Sequence, residues 1–370
     1  MTETRQRGRS SAALLLLGVV AILVVGGLVM VLSASSVEAL RLYDNSWLFF
    51  QRQLMWVGLG IGAMLLTIRI DYRRWRRFAV PMLLASAGLL VLVLIPGLGI
   101  SARGSSRWIG TGSFRIQPSE LAKFALLVFA ADVLARRPDP ARELPLVMRP
   151  ILLSLGAVAL LVMLQPDMGT TVVIGFTVLA LLFAGGVPFR IMSALLGGLV
   201  VSALALGMHA SYRRARLLSF IDPWKDAANT GYQSVQSLVG LGTGQLTGVG
   251  LGASRAKWGF LPNAHTDFIF AIIGEELGLV GALLIVILFA AFAVLGVRAA
   301  SRAPDRFGSL LAVGITAWIV GQAVLNIGTV IGLLPITGVP LPLVSFGGSS
   351  LVITMAAIGV LVNVTRHGRA

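Results

Sequence analysis

The chain has 370 residues, 56% of them hydrophobic and 12% charged, with a mean hydropathy of +0.89. That much apolar surface excludes a soluble domain of this length and points to a helical membrane protein. A net charge of +15 does not signal a nucleic-acid binder, because the arginines fall in short clusters between apolar runs, as at 73–77 and 136–137, rather than along one polar face.

Apolar runs that can cross a bilayer need roughly 17–25 residues. Ten such runs are predicted, at about 12–34, 50–70, 78–97, 117–135, 149–165, 168–186, 190–209, 267–297, 307–332 and 346–364. The expected fold is therefore all-α, a polytopic membrane protein whose residues 1–370 form one integral membrane domain. The first run has an apolar core too long for a secretory signal, so it reads as an uncleaved helix. The eighth is long enough to tilt or to project from the membrane. Pro118, Pro150 and Pro188 lie near predicted helix starts, where a missing amide donor is tolerated. There is no cysteine, which excludes disulfides and thiolate metal sites.

With ten spans both termini share a side. If that side is the cytoplasm, the inner segments carry eighteen lysines and arginines and the short outer loops five. The positive-inside rule then gives an N-in, C-in topology, with one large extracytoplasmic loop at 210–266 between spans seven and eight.

Several segments carry polar residues where apolar ones would be cheaper. The outer loop 103–120 holds Arg103, Arg107 and Arg115, positive charge on the disfavoured side. Loop solvation explains it, and so does binding of an anion such as a pyrophosphate. Span four opens with Gln-Pro-Ser-Glu, and Glu120 and Lys123 share one helix face. Charges inside a span rarely face lipid, so the pair is either an internal ion pair or the wall of a polar cavity. Asp167, between spans five and six, has the same two readings.

In the large loop, Leu217, Leu218, Phe220 and Trp224 among charges suggest an amphipathic element at the interface. Glycines at 240, 242, 244, 248, 250 and 252 fit either a flexible re-entrant linker or a close backbone approach to a ligand. The spacing matches neither a Walker loop nor a dinucleotide fingerprint. Lys257, His265 and Asp267 follow at the lip of span eight. Thr266 and Asp267 are of the types that cap a helix, and a carboxylate at this lip is also placed for chemistry at the membrane surface. The last outer connection, 333–350, contains three prolines and three glycines. It should be a rigid, non-helical passage against protein or a cavity.

The runs GSSRWI, RIQPSELAK, QPDMGT, GYQSVQSL, GVGLGASRAKWGFLPNAHTDFIFAIIGEELG and LLPITGVPLPLVSFGGSSL occur in that order. Together they resemble the SEDS family (shape, elongation, division and sporulation proteins), and the likeness covers nearly the whole chain. SASS near span one, NSWLFFQRQLMW, SFIDPWKD and the double serine of GGSSL look more like FtsW-type than RodA-type members. The resemblance implies a peptidoglycan glycosyltransferase in the bacterial cytoplasmic membrane, with its site facing outward and working at the division septum. Its substrate would be lipid II, its partners a class B penicillin-binding transpeptidase and other division proteins. A divalent cation, Mg or Mn, would be its only cofactor. The aspartate of the family's HTDFIF motif falls on Asp267, the expected general base. Arg107, Arg115, Lys123 and Lys257 are candidates for the pyrophosphate. Glu120, Asp167 and His265 are candidates to orient them or the acceptor. Elongation-type polymerisation, lipid II flipping and scaffolding of the transpeptidase are the competing functions.

Overall fold

The computed structural model describes residues 2–102, 105–112, 114–137, 139–209 and 219–368. Arg103, Leu217 and Leu218, singled out above, lie outside them.

A helix occupies each of the ten apolar runs. These are α1 (Thr2–Tyr43), α2 (Leu48–Arg69), α3 (Trp75–Leu94), α4 (Pro118–Ala135), α5 (Leu144–Leu164), α6 (Met168–Ala184) and α7 (Phe189–His209). An additional helix, α8 (Tyr232–Gly244), lies in the large loop. It is followed by α9 (Ile269–Ser301), α10 (Arg306–Val330) and α11 (Ser349–His367). Among the described residues, six segments are long and apolar enough to cross a membrane: those of α1, α3, α5, α9, α10 and α11. Leu84, Leu153, Leu160, Val280 and Ile287 lie exposed along these helices, as lipid-facing side chains do in a polytopic membrane protein.

Local chemistry sets the helix starts. Proline occupies the first turn of α4, as Pro118, and of α5, as Pro145, whereas Pro150, expected near a helix start, lies inside α5 because that helix begins at Leu144. The Asp167 carboxylate accepts from the Thr170 amide to cap α6, and Asp305 accepts from Gly308 to cap α10. Of those six spans, α10 and α11 are the most enclosed, with about seven-tenths of their apolar windows buried, against about three-tenths for α3 and α5. α10 packs on α4, α6, α9 and α11, so its polar residues face protein.

Three features depart from the sequence reading. α1 runs well past residue 34, to Tyr43. The loop before α4 folds into an antiparallel three-stranded sheet, β1 (Ile100–Ala102), β2 (Ser105–Thr111) and β3 (Phe114–Ile116), in that spatial order. Arginines among Ser, Gly and Trp give no clean alternation, so the strands left no periodic signal.

The third departure is a break in α9. Gly278 takes φ 66° and ψ −163°, and the freed amides of Leu279 and Val280 donate to the carbonyls of Gln245 and Leu246 at 2.9 and 3.2 Å. In return, Val249 and Gly250 donate to the carbonyls of Glu275 and Glu276, each at 3.0 Å. The glycine-rich run is therefore no loose linker; it is pinned into the helix break and satisfies its orphaned backbone groups. Gly248 permits this with φ 82°, since a Cβ there would lie 2.1 Å from the Glu276 carbonyl oxygen.

Candidate active site

The 333–348 passage is non-helical, as its prolines and glycines require, and of the sequence-predicted residues Asp267, Glu120 and Lys123 are tied to it. Asp267 lies two residues before α9. The cap position belongs to Phe268, which makes no side-chain cap bond. The Asp267 Oδ2 lies 3.6 Å from where a Cβ on Gly338 would be, and Gly338 has φ 72°. Asn326 of α10 holds the two strands of this lip together: its Nδ2 donates to the Asp267 carbonyl at 2.7 Å and to the Val339 carbonyl at 2.8 Å. Ser345 adds a second clasp, accepting from Leu341 N at 2.8 Å and donating to Thr266 O at 2.6 Å.

Glu120 and Lys123 form a buried ion pair, Nζ to Oε2 at 2.9 Å, off the line of a hydrogen bond. Lys123 also donates to Gln322 Oε1 at 2.9 Å and sits over the Trp318 ring, 5.0 Å from its centroid. Gln322 in turn donates to the Pro340 carbonyl at 3.0 Å. The internal pair is thus wired to the same passage as Asp267.

A second group lies where α4, α6, α11 and the small sheet meet. Arg107 of β2 donates to the Gln165 and Pro166 carbonyls at 3.2 and 2.5 Å, and its Nη1 is 3.7 Å from Asp167 Oδ1. Gln117 donates to Asp167 Oδ2 at 3.3 Å, and its amide donates to Ser349 Oγ of the double serine at 3.0 Å. Asp167 therefore caps α6 and anchors Arg107 at once.

Three candidates stand apart. Arg115 lies on the exposed strand β3. His265 is buried, with its ring 4.7 Å from Phe49 and 5.8 Å from Phe346. Its Nδ1 is 3.2 Å from Glu38 Oε2, again off the line of a hydrogen bond. Lys257 turns inward, donating to the Gly252 carbonyl at 2.5 Å with Glu276 Oε1 and Ser33 Oγ at 3.4 Å. It is a clamp on the broken helix: Ser33 of α1 donates to Glu276 at 2.7 Å, and Glu275 accepts from Ser254 Oγ and the Arg255 amide.

Sequence reasoning missed Asn326, Gln322, Gln53 and Ser345. Each is an uncharged polar residue in an otherwise apolar or turn-rich run, and that exception was the available signal. Gln53 donates to the Ser345 carbonyl at 3.2 Å. Among the described residues, Gln53 Oε1, Trp75 Nε1, Glu120 Oε2, His265 Nδ1, Asn326 Oδ1 and Thr337 Oγ1 are buried without a hydrogen-bond partner. All but Trp75 Nε1, at the start of α3, belong to residues in this passage, wired to it or, for His265, packed against its Phe346. Buried polar atoms are normally satisfied, so their concentration marks a polar lining. No three His, Asp or Glu side chains cluster at metal-ligand spacing among the described residues.

This arrangement sits in a chain whose residues 13–370 match the family model described as cell cycle protein, which groups FtsW, RodA and SpoVE. The chain belongs to this family. It is 43% identical over 343 residues to a probable peptidoglycan glycosyltransferase FtsW of Geobacter metallireducens, covering 92% of this chain and 90% of the relative. It is 42% identical to stage V sporulation protein E of Bacillus subtilis, over 98% of this chain and 99% of that protein. Among solved structures, one described as the structural coordination of polymerization and crosslinking by a peptidoglycan synthase complex matches with a TM-score of 0.77 at 31% identity, covering 95% and 96% of the two chains. The rod shape determining protein RodA of Thermus thermophilus matches with a TM-score of 0.70 at 29% identity, covering 95% of each chain.

Proposed function

We propose that this protein is a peptidoglycan glycosyltransferase that polymerises lipid II into β-1,4 glycan strands, with Asp267 as the general base. The observation that carries the reading is the placement of Asp267: a half-buried carboxylate at a lip held by Asn326 and faced by Gly338. The names of the FtsW relatives support the activity. The N-in, C-in topology with ten spans would put this lip on the outer face, where the large loop lies.

The 4-hydroxyl of the acceptor GlcNAc attacks C1 of the donor MurNAc. Its proton passes to the Asp267 carboxylate as the new C1–O bond forms. The bond from C1 to the pyrophosphate oxygen breaks with its electron pair, and undecaprenyl pyrophosphate leaves. An α-linked donor becomes a β-linked glycan, so one inverting displacement suffices. Arg107 and the Glu120–Lys123 pair supply fixed charge for the leaving group and the sugars; fixed dipoles and charges in a dry site need no reorganisation as charge develops. Arg115, on an exposed strand, meets the pyrophosphate from the solvent side. Lys257 acts indirectly, by holding the half of α9 that follows Asp267.

A divalent cation, Mg or Mn, fits this site when it arrives with substrate, because Mg-type ions bind through one or two carboxylates plus phosphate oxygens. Asp267 is the carboxylate that would share it, and the ion would neutralise charge on the departing pyrophosphate. The synthase complex among the structural relatives supports a transpeptidase partner, which we assign to the class B penicillin-binding type at the division septum.

Incubating purified protein with lipid II and Mg or Mn, with and without the transpeptidase, tests the activity. Glycan chains whose new linkages are all β are expected. Lipid II that is moved across vesicles but never polymerised would instead favour the flippase function.

A further inference from the structure

At the end of the bundle opposite Asp267, α2 and α3 are joined by a turn that carries four arginines. Asp71 accepts from the Arg73 amide at 2.9 Å and opens the 3-10 turn Tyr72–Arg74. Tyr72 is fully buried; its hydroxyl donates to Asp305 at 2.5 Å, and its amide donates to Asn363 Oδ1 at 3.0 Å. Gly308 packs so closely on the Tyr72 ring that a Cβ there would lie 2.9 Å from it. The turn is thus nailed to α10 and α11, and its arginines project from a fixed backbone.

Arg73, Arg74 and Arg77 line the larger of two adjoining cavities, and Arg76 lines the smaller. The larger has a volume of about 630 Å³ and is bounded by Ile70, Asp71, Arg73, Arg74, Arg77 and Phe78. Two of the four arginines are committed: Arg73 lies 3.1 Å from Asp305, and Arg76 lies 2.8 Å from Asp132. Arg74 and Arg77 are exposed and face no acidic partner among the described residues. Asp71, the one carboxylate on the cavity wall, is already accepting from the turn.

The apolar side of the cavity distinguishes a lipid from a soluble anion. Phe78 is 56% exposed, and beyond it the exposed Leu65 and Leu66 of α2 and Val80 and Leu84 of α3 continue into the span. α2 packs chiefly on α11 and α1, and α3 on α4 and α5, so the two helices part from their shared turn. A charged mouth opening onto an apolar cleft matches an amphiphile with an anionic head, and basic pockets between membrane helices take such headgroups.

We propose that the 70–78 turn is a binding site for an anionic phospholipid, with the phosphodiester held by Arg74 and Arg77 and the acyl chain lying along Phe78. The inner-facing placement of this turn under the positive-inside rule puts it in the leaflet where anionic lipid raises local attraction for cations. The site is independent of the assignment of Asp267.

Native mass spectrometry of the purified full chain tests it. The detergent-solubilised protein is titrated with phosphatidylglycerol, phosphatidylcholine or inorganic phosphate. The wild type should retain the anionic lipid over phosphatidylcholine, and the double variant Arg74→Gln/Arg77→Gln should lose about tenfold or more of that retention, each cation being worth roughly a factor of five. Arg142→Gln removes an exposed charge outside the cavity and should leave retention within about twofold, since surface charge away from the site adds little. Equal retention by the double variant and wild type overturns the proposal, as does an equal loss in Arg142→Gln, which would mean diffuse surface charge. Displacement of the lipid by millimolar inorganic phosphate would show a free-anion site and overturn the lipid assignment. The thermal midpoint of the double variant in phosphatidylcholine, matching wild type, confirms that it is folded.

Discussion

Asn326 makes the mechanism depend on an uncharged side chain. It donates at once to the Asp267 and Val339 carbonyls, fixing the backbone that carries the carboxylate beside the strand of Gly338. Asn326→Ala leaves both carbonyls without this donor, at a cost of about 1–3 kcal/mol each if they stay buried. The variant should lose polymerisation rate far more than lipid II binding, measured by turnover and by equilibrium binding on the same preparation. The Glu120–Lys123 pair makes a separate prediction. Lys123→Met strands a carboxylate that is 2% exposed, so stability should fall by about 3–5 kcal/mol. Adding Glu120→Leu should restore much of that stability in a thermal melt. Polymerisation should stay low, because the charge, and not only the packing, serves the substrate.

At the scale of elements, the broken α9 and the capped α10 are the two joints most open to test. Gly248→Ala would push a Cβ into the Glu276 carbonyl and should destabilise the 245–250 insertion by at least about 1–3 kcal/mol, seen as early protease cleavage in the large loop. Asp305 caps α10 and also receives Tyr72 and Arg73. Burial pushes its pKa up, but the hydrogen bonds from Tyr72, Gly308 and Arg73 outweigh it and hold the carboxyl below its ordinary value. The folded pKa is depressed, so the stabilisation is complete above the unfolded carboxylate range and is lost as pH falls through the folded value. Wild type and Asp305→Asn should therefore differ in thermal midpoint near neutrality and converge in strong acid. A gap that widened on acidification would contradict the cap.

Much of this was legible at the level of elements. Long apolar runs announce helices because a buried backbone has few other ways to satisfy itself, and the prolines of 333–350 forbade a helix there. The break at Gly278 was not legible, since its partner carbonyls lie some thirty residues earlier and glycine alone does not reveal who will fill a gap. At the site, charge drew attention to Asp267, Glu120 and Lys123. The amides that hold them, Asn326 and Gln322, carry no charge, so their polarity within the apolar α10 was the weaker signal. Lys257 showed the reverse error: a cation at the lip whose charge is spent inward on Glu276.

For the molecule as a whole, the absence of cysteine is an experimental opening. Single cysteines at Trp224 in the large loop and at Arg142 between α4 and α5, both exposed, report orientation through an impermeant thiol reagent. Labelling of Trp224→Cys in intact cells, and of Arg142→Cys only after permeabilisation, is expected from the charge asymmetry. The same geometry places the sheet β1–β3, Asp267 and the large loop on one face, and the arginine turn at 73–77 on the other. The proposed base and the proposed lipid site would then lie at opposite ends of the bundle.

The central claim is that the Asp267 carboxylate takes the acceptor proton. Its most direct test is polymerisation of lipid II by Asp267→Asn, with lipid II binding measured on the same folded protein. Binding close to wild type with glycan synthesis reduced at least about a hundredfold, in the range general-base catalysis supplies, is the predicted result. Glycan chains formed at the wild-type rate would contradict it and return Asp267 to a structural role at the lip of α9.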